Sequence, residues 1–221
     1  MIKEEIDLIN NELPSTVKLV AVSKFNPVGA IQQAYDAGQR IFGENRPQEL
    51  AEKVQLLPND IQWHFLGHLQ TNKLKLVLPY VSLVQSVDSE KLLMEINNFA
   101  VAKGLKVNCL LEMFVASEET KQGFDKTELM SVVNMLSSNP LPGIELCGLM
   151  GMASFTKDTE QVRGEFTHLA NAFNEIKGQY SLSFPNFKEL SMGMSGDYKI
   201  AIECGSTMVR IGTRIFGARK L

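Results

Sequence analysis

A lysine follows the first predicted strand of the chain. The stretch VKLVAVSKFNP, residues Val17 to Pro27, runs through six mostly apolar residues, Val17 to Val22, and then reaches Lys24. A lysine at that position is either a solvated strand terminus or an amine held at the mouth of a pocket. An amine in a pocket can attack a carbonyl compound and form a Schiff base with it. The two alternatives differ in what surrounds the amine.

Small and hydroxyl-bearing residues gather near the C-terminus, in the stretch SMGMSGDYKIAIECGSTMVRIGTRIFG. Ser195 and Gly196 are predicted to open a helix there, and the unpaired backbone N–H groups of a helix start attract anions. Gly212 and Thr213 follow the last predicted strand, where a glycine lets the backbone approach a ligand and a threonine hydroxyl adds a donor. Taken alone, these residues fit a helix cap and a tight turn equally well.

Arg210 lies inside the last predicted strand. The period-two alternation of a strand places it on the same face as Met208 and Gly212. A guanidinium inside a folded domain needs a partner, which is either an Asp or Glu on the rim or an acceptor on a ligand. If that ligand contains a pyridine ring and the acceptor is its nitrogen, the arginine keeps the nitrogen unprotonated. The pyridine ring is then a weak electron sink.

Eight short apolar runs alternate with segments of helical period, which is typical of strand–helix units around a parallel sheet. The predicted strands are Val17–Val22, Arg40–Phe42, Ile61–Leu66, Leu83–Gln85, Val107–Met113, Glu145–Met150, Glu189–Met192 and Met208–Ile211. The predicted helices are Ile2–Leu13, Pro27–Ala37, Pro47–Leu57, Ser89–Lys103, Lys126–Ser137, Thr159–Lys177 and Gly196–Cys204. The pattern favours an α/β fold, a (β/α)8 barrel of TIM type in which residues 1–221 form a single domain. An open doubly wound sheet is the alternative, but no G-x-G-x-x-G turn follows the first strand.

A closed barrel would bring the predicted site residues together. Its functional face lies at the carboxyl ends of the strands, and strand one neighbours strand eight. Lys24 would then adjoin the anion-binding turn at Gly212 and Thr213. Pyridoxal phosphate (PLP) requires this combination, an amine for its aldehyde and a cradle for its phosphate. PLP is therefore the cofactor that the residues predict.

The composition excludes several other classes of protein. The chain is 44% hydrophobic and 21% charged, as in ordinary soluble proteins, and its formal net charge of −3 offers no footprint for nucleic acid or an anionic membrane surface. We therefore expect a small-molecule partner. Three scattered cysteines fit a reducing compartment, and we expect no metal site. Because MIKEEIDLIN resembles no signal peptide and no run approaches the roughly 18 apolar residues of a membrane helix, we expect a cytoplasmic protein.

The motifs resemble those of the pyridoxal phosphate homeostasis protein family, which shares its fold with the N-terminal barrel of alanine racemase. The matching stretches are AVSKFNP, FGENRPQEL, WHFLGHLQTNK, QSVDS, EETKQGF, GLMGM and LSMGMSGDYKIAIECGSTMVRIGTRIFG. They cover nearly the whole chain, and their combination is highly specific. The resemblance implies that Lys24 is the Schiff-base lysine and that Arg210 lies beside the pyridine nitrogen. It also implies that Ser195, Gly212 and Thr213 bind the phosphate.

Three further residues match cofactor-binding positions of the family. Asn45 belongs to FGEN, near the cofactor, and His64 and Ser191 also match motif positions. His64 lies inside a predicted strand, where a hydrogen-bonded core histidine is the alternative. The sequence departs from the family at Gln85, where many relatives carry histidine before SVDS. It also departs in GLMGMASF, where other members have a proline soon after GLM.

Two functions fit the resemblance. A monomeric homeostasis protein would hold PLP on Lys24, limit free aldehyde and pass the cofactor to apo PLP-enzymes, without strong catalysis. The alternative is a PLP-dependent amino-acid racemase or lyase of the alanine racemase type. That racemase takes a tyrosine acid from a second domain of its partner subunit, and because this sequence ends after the barrel, we expect the homeostasis role with at most weak racemase-type activity. Lys73, Lys75 and Lys121 are hypothetical secondary amines for aldehyde capture or transfer.

Overall fold

Eight parallel strands form a closed barrel in chain order, and β1 and β8 close the ring. The computed structural model describes residues 1–117 and 122–217. The strands are β1 Lys18–Val22, β2 Ile41–Glu44, β3 Gln62–Phe65, β4 Val81–Val87, β5 Val107–Glu112, β6 Ile144–Met150, β7 Glu189–Ser191 and β8 Met208–Ile211. At the closure, Lys18 of β1 is in register with Met208 of β8, and Ala21 with Ile211. The predicted barrel of TIM type is confirmed.

Helices follow the strands around the outside of the barrel. They are α1 Ile2–Glu12, α2 Val28–Asp36, α3 Pro47–Lys53, α4 Leu74–Val77, α5 Glu90–Lys103, α6 Lys126–Ser138, α7 Thr159–Gln179, α8 Tyr198–Glu203 and α9 Thr213–Phe216, with a 3-10 turn at Thr71–Lys73. α1 precedes the barrel and buries Ile6 and Ile9 completely. Arg214 of α9 forms ion pairs with Glu5 and Glu12 of α1. None of the helices in the described ranges is both long and apolar enough to cross a membrane.

The alternation of each strand divides the apolar residues into two layers. The lumen layer contains Val20, Leu83, Leu110, Met150 and Met208. The outer layer, between strands and helices, contains Val209 and Ile211 of β8 together with most of the remaining core. Met208 and Arg210 therefore share the lumen side of β8, as predicted. The lumen layer is the floor beneath the carboxyl ends of the strands.

All eight predicted strands are present, and their ends differ from the prediction by at most two residues. Three helix ends were predicted wrongly, and one of them is that of α7, which ends at Gln179 and not at Lys177. α3 ends at Lys53 and not at Leu57, because the N–H groups of Gln55 and Leu56 bond three residues back in a tight turn. The helix after β7 begins at Tyr198 and not at Gly196. The 3-10 turn, α4 and α9 were not predicted, because three or four residues are too few to show helical periodicity.

Candidate functional site

Lys24 lies in a tight turn at the carboxyl end of β1. The N–H of Asn26 donates to the carbonyl of Ser23 at 3.0 Å, and the side-chain amide of Asn26 donates to the carbonyl of Lys24 at 3.1 Å. Phe25 has a φ of +65°, which is uncommon for a residue other than glycine. Lys24 is half-buried. It is therefore part of the barrel rim, and a fully solvated strand terminus does not describe it.

A cavity of about 380 Å³ opens beside Lys24. Its wall is formed by Val22, Lys24, Phe25, Asn26, Pro27, Ala30, Gly212, Thr213, Phe216 and Gly217. Lys24 and the predicted anion-binding turn at Gly212 and Thr213 thus line the same cavity, which falls within the usual size range of ligand pockets. A Cβ at Gly212 would lie 3.0 Å from the carbonyl oxygen of Val22, so a larger residue would crowd β1 here.

Hydrogen-bond donors gather where the chain leaves β7 and β8. The hydroxyl of Thr213 donates to that of Ser195 at 3.1 Å, which joins the two loops. Ser195 and Gly196 lie in a turn before α8, because the Asp197 carboxylate accepts the N–H of Met194 at 2.5 Å and the N–H of Asp197 bonds back to the carbonyl of Met194. The backbone N–H groups of Ser195, Gly196 and Thr213 donate to no atom of the described residues. Such groups are available to an anion.

Arg210 is buried in the lumen and is only 5% exposed. Its Nη1 donates to Ser191 Oγ at 2.7 Å and its Nη2 to the carbonyl of Gly151 at 3.0 Å. Burial lowers the pKa of Arg210 to about 10, while Glu112 and Asp197 act in the opposite direction. Across the described residues, no carboxylate lies within ion-pair distance of the guanidinium. Within the described part of the chain, Arg210 therefore bonds to a hydroxyl and a carbonyl and is not paired with a carboxylate on the rim.

A chain of hydrogen bonds continues from Arg210 across the lumen. Ser191 Oγ donates to Gln85 Oε1 at 2.6 Å, and Gln85 Nε2 donates to His64 Nδ1 at 2.8 Å. The amide oxygen is occupied by Ser191, so the imidazole accepts from the amide nitrogen and its own proton is assigned to Nε2. Burial, with a contribution from Lys18, lowers the pKa of His64 to about 3, so the ring is neutral near pH 7. Gln85, a departure from the family pattern, is the link between His64 and Ser191.

His64 is directed toward the amino end of the lumen. There it lines a second cavity of about 390 Å³, together with Lys18 and Glu189, which form an ion pair at 2.5 Å. The structure brings Ser191 and Arg210 into direct contact. It connects His64 to them only through Gln85 and does not place His64 in the cavity beside Lys24.

Asn45 follows β2 on the same barrel face as Lys24. Its Oδ1 is buried and accepts no hydrogen bond from the described part of the chain. Gly67 packs closely against it, since a Cβ at Gly67 would lie 2.4 Å from the carbonyl oxygen of Asn45. Asn45 therefore offers an unused acceptor near the carboxyl ends of the strands.

Glu112, at the end of β5, is a buried titratable residue that the sequence analysis missed. It is 2% exposed, and its Oε2 has no hydrogen-bond partner in the described ranges. Burial raises the pKa of Glu112 to about 7, Asp88 adds to the rise, and Arg210 and His68 oppose it. The signal was available, because alternation along VNCLLE places Glu112 on the lumen face with Leu110.

Two of the three hypothetical secondary amines, Lys73 and Lys75, do not line the cavity beside Lys24. Lys73 is half-buried at the end of the 3-10 turn, and Lys75 is exposed on α4. Lys121, with part of the EETKQGF motif, lies outside the described residues. The transfer hypothesis for these lysines stays a prediction.

Comparison with known sequences identifies similar proteins over almost the whole chain. Residues 1–220 match the family model for the alanine racemase N-terminal domain. The pyridoxal phosphate homeostasis protein of Vibrio alginolyticus is 41% identical over 211 residues, which cover 93% of this chain and 88% of that protein. The pyridoxal phosphate homeostasis protein of Schizosaccharomyces pombe is 35% identical over 222 residues, covering 97% and 91%.

Solved structures give the same likeness in three dimensions. PipY of Synechococcus elongatus without PLP superposes with a TM-score of 0.92 at 34% identity, over 98% of this chain and 100% of PipY. PipY with PLP bound superposes with a TM-score of 0.88 over the same shares. An alanine racemase from Clostridium difficile has a TM-score of 0.74 at 20% identity, and the match covers 60% of that chain. At that identity the racemase shows the shared fold alone.

Proposed function

This chain belongs to the pyridoxal phosphate homeostasis proteins, within the alanine racemase N-terminal domain family, and from that premise we propose that it binds PLP reversibly as a Schiff base on Lys24. In this role it serves intracellular PLP homeostasis and carries out no demanding catalysis. When bound, PLP supplies an aldehyde that condenses with an amine, releasing water, and an electron-withdrawing ring. The protein supplies the amine, the anion cradle and the contacts that orient the ring.

The observation that supports this proposal most directly is that Lys24 and the turn at Gly212 and Thr213 line one and the same cavity. The donor set suits PLP. Lys24 and Thr213 line the cavity, the Thr213 hydroxyl bonds to that of Ser195, and the described residues leave backbone N–H groups of both loops unused. Unused N–H groups at a loop and a helix start are favourable partners for a phosphate. The residues present therefore fit the cofactor.

Arg210 is proposed to lie beside the pyridine nitrogen. Its guanidinium carries five N–H donors, and the contacts to Ser191 and Gly151 leave others available. An arginine donates a hydrogen bond without giving up its proton, so a pyridine nitrogen beside it stays unprotonated. That arrangement weakens the ring as an electron sink and favours holding the cofactor over stabilising a carbanion.

The tyrosines support homeostasis over the alternative of a racemase or lyase. A two-base racemase needs a second acid–base group facing the lysine. The hydroxyls of Tyr35, Tyr180 and Tyr198 donate to Asp60, Asn134 and Glu12, respectively. No tyrosine, Tyr80 included, is among the described residues that line the cavity of Lys24. The chain's own described tyrosines thus supply no such acid.

The test is a titration with PLP, followed by removal of unbound cofactor and measurement of near-violet absorption. We expect a saturable band for the wild type and for the control Lys91→Ala, which changes an exposed lysine on α5. Lys24→Ala should show no band. A band of wild-type height in Lys24→Ala overturns the assignment of the amine. Racemisation of alanine at roughly 1 per second or more overturns homeostasis in favour of the enzyme.

We also propose that the bound cofactor passes to apo PLP-enzymes, with the protein acting as a monomer. Mixing the loaded protein with an apo-enzyme should restore that enzyme's activity faster than the spontaneous release of PLP allows. Lys73→Ala and Lys75→Ala should slow this transfer if those amines take part. Unchanged transfer rates in both variants remove the two lysines from the proposal.

A further inference from the structure

A buried ion cluster lies directly behind the turn that carries Lys24. Lys53 of α3 is 5% exposed, and Glu44 of β2 is completely buried. Lys53 Nζ lies 2.6 Å from Glu44 Oε1 and 2.6 Å from Glu49 Oε1. We call Glu44, Glu49 and Lys53 the anchor cluster. None of the three lines the cavity beside Lys24, so the cofactor proposal leaves them without a role.

The anchor cluster bonds to the backbone on both sides of Lys24. Before the lysine, Lys53 Nζ donates to the carbonyl of Ser23 at 2.9 Å, and Ser23 Oγ donates to Glu44 Oε1 at 2.6 Å. After the lysine, the N–H of Phe25 donates to Glu49 Oε1 at 2.7 Å. Lys24 thus lies between two residues that both bond to members of the anchor cluster, Ser23 to Lys53 and Glu44 and Phe25 to Glu49.

The turn between those two residues is strained. The bond from the Asn26 N–H to the Ser23 carbonyl makes Ser23–Asn26 a four-residue turn with Phe25 in third position. A positive φ at that position is typical of a type II turn and is usually supplied by glycine. Among the described residues, Phe25 is the one non-glycine residue with a positive φ. A bulky residue keeps such a conformation only when its surroundings over-determine it.

We propose that Glu44, Glu49 and Lys53 are positioning residues for the Lys24 amine. By forming hydrogen bonds with the Ser23 carbonyl and the Phe25 N–H, they keep Phe25 in the left-handed conformation and direct Lys24 toward the cavity. The inference rests on the proposed function for what the amine binds. The hydrogen bonds between the anchor cluster and the turn are present in the protein without cofactor, and they can be measured separately.

Glu49→Ala is the most informative change. It removes the acceptor of the Phe25 N–H and leaves the buried pair of Glu44 and Lys53 in place, so the fold is retained. The matched control is Glu52→Ala, which removes an exposed glutamate three residues further along the chain. Phe25→Gly provides a rescue, because glycine adopts a positive φ without needing to be held.

PLP affinity is the first readout. We expect Glu49→Ala to bind PLP about tenfold more weakly than the wild type, equivalent to about 1.4 kcal/mol. Glu52→Ala should match the wild type. In the Phe25→Gly background, Glu49→Ala should lose almost no affinity. An unchanged affinity in Glu49→Ala, or a tenfold loss that persists in the Phe25→Gly background, overturns the proposal.

Amide hydrogen exchange without cofactor is the second readout. The Phe25 amide should exchange at least about tenfold faster in Glu49→Ala than in the wild type or in Glu52→Ala, because its acceptor is gone. Equal exchange rates in the three proteins would contradict the proposal that Glu49 holds the turn through the Phe25 N–H. If the wild type forms no Schiff base while the Phe25 amide still responds, the proposed function fails and the anchoring of the turn stands.

Discussion

Lys53 and Arg210 are equally buried cations, each 5% exposed, but their surroundings differ. Lys53 lies 2.6 Å from carboxylate oxygens of both Glu44 and Glu49. Arg210 bonds to a hydroxyl and a carbonyl, and the described residues place no carboxylate within ion-pair distance of it. Behind the barrel rim, the charge of Lys53 is therefore compensated by two carboxylates. In the lumen beneath the rim, the described residues give Arg210 no such carboxylate.

The difference separates charges that hold the fold from charges that are available to a ligand. A buried ion loses its hydration, and close partners are needed to compensate for that loss. Lys53 has such partners within the protein. Arg210 has no such partner among the described residues, and burial lowers its pKa to about 10. Perturbed, incompletely paired groups in a cleft are typical of functional sites, so we expect the missing partner of Arg210 to be a bound molecule.

The largest expected effect is on folding, from Lys53→Met. This change leaves Glu44 buried without its counter-charge, and we expect the free energy of unfolding to fall by about 3–5 kcal/mol. Urea denaturation measures it. The control Lys91→Met, at an exposed position on α5, should stay within about 0.5 kcal/mol of the wild type. Equal stability of the two variants would mean that the anchor cluster does not support the fold.

The second effect is a pH dependence from Glu112. Because the pKa of Glu112 is raised to about 7 in the folded state, its contribution to stability is complete below about pH 4.5 and is lost as the pH rises through about 7. Glutamine does not ionise, so Glu112→Gln removes this pH-dependent loss of stability. Relative to the wild type, the variant should gain about 3 kcal/mol between pH 4 and pH 8.

Urea denaturation of both proteins across this pH range checks the prediction. The lowered pKa of His64 gives a pH dependence of opposite sign, with stability lost as the pH falls. His64 is unchanged in the variant, so the difference between the two proteins isolates Glu112. A difference that does not vary with pH would show that Glu112 keeps an ordinary pKa in the folded protein.

The third effect concerns Arg210, which has no close carboxylate among the described residues, and is tested with Arg210→Met. We expect PLP affinity to fall by about tenfold or more, equivalent to about 1.4 kcal/mol, because the ring nitrogen loses its donor. The free energy of unfolding should fall less than in Lys53→Met, since no carboxylate of the described residues lies within ion-pair distance of Arg210. PLP titration and urea denaturation give the two values. Unchanged affinity together with a severe loss of stability would reverse the roles assigned to the two cations.

The smallest effect concerns the hydrogen-bond chain in the lumen. Gln85→Leu removes the acceptor of the Ser191 hydroxyl and the donor to His64 Nδ1, and we expect a loss of about 1–2 kcal/mol in the free energy of unfolding. Gln85→His offers both a donor and an acceptor and should lose less. Thermal or urea denaturation compares them. Equal losses in both variants would mean that packing volume, and not the hydrogen bonds, matters at this position.

The fold could be predicted from the sequence because its strands are short, apolar and evenly separated by amphipathic segments. Met208–Ile211 was predicted with its observed ends, and the closure of β1 against β8 followed from the strand count. That closure also brought Lys24 and Gly212 into one cavity. These features depend on periodicity along the chain, which a single sequence contains.

The charged groups around the site could not be predicted in the same way. The contact of Lys53 with Glu44 depends on how α3 packs against the end of β2, and periodicity gives no distances between elements. The contact of Lys53 with Glu49 is an i,i+4 pair within α3, which helical spacing alone allows. The sequence shows Gln85 only as a departure from the family, yet its hydrogen bonds to His64 and Ser191 connect β4 with β3 and β7. The start of α8 was missed because the Asp197 side chain, and not helical periodicity, ends the preceding turn.

The proposed function depends on one amine, that of Lys24, holding PLP. The most direct measurement is borohydride reduction of the PLP-loaded wild-type protein, followed by proteolysis and mass spectrometry of the labelled peptides. We predict a single major site, at Lys24 in the peptide that contains AVSKFNP. A major label on Lys73, Lys75 or any other lysine, with Lys24 unmodified, would contradict the assignment.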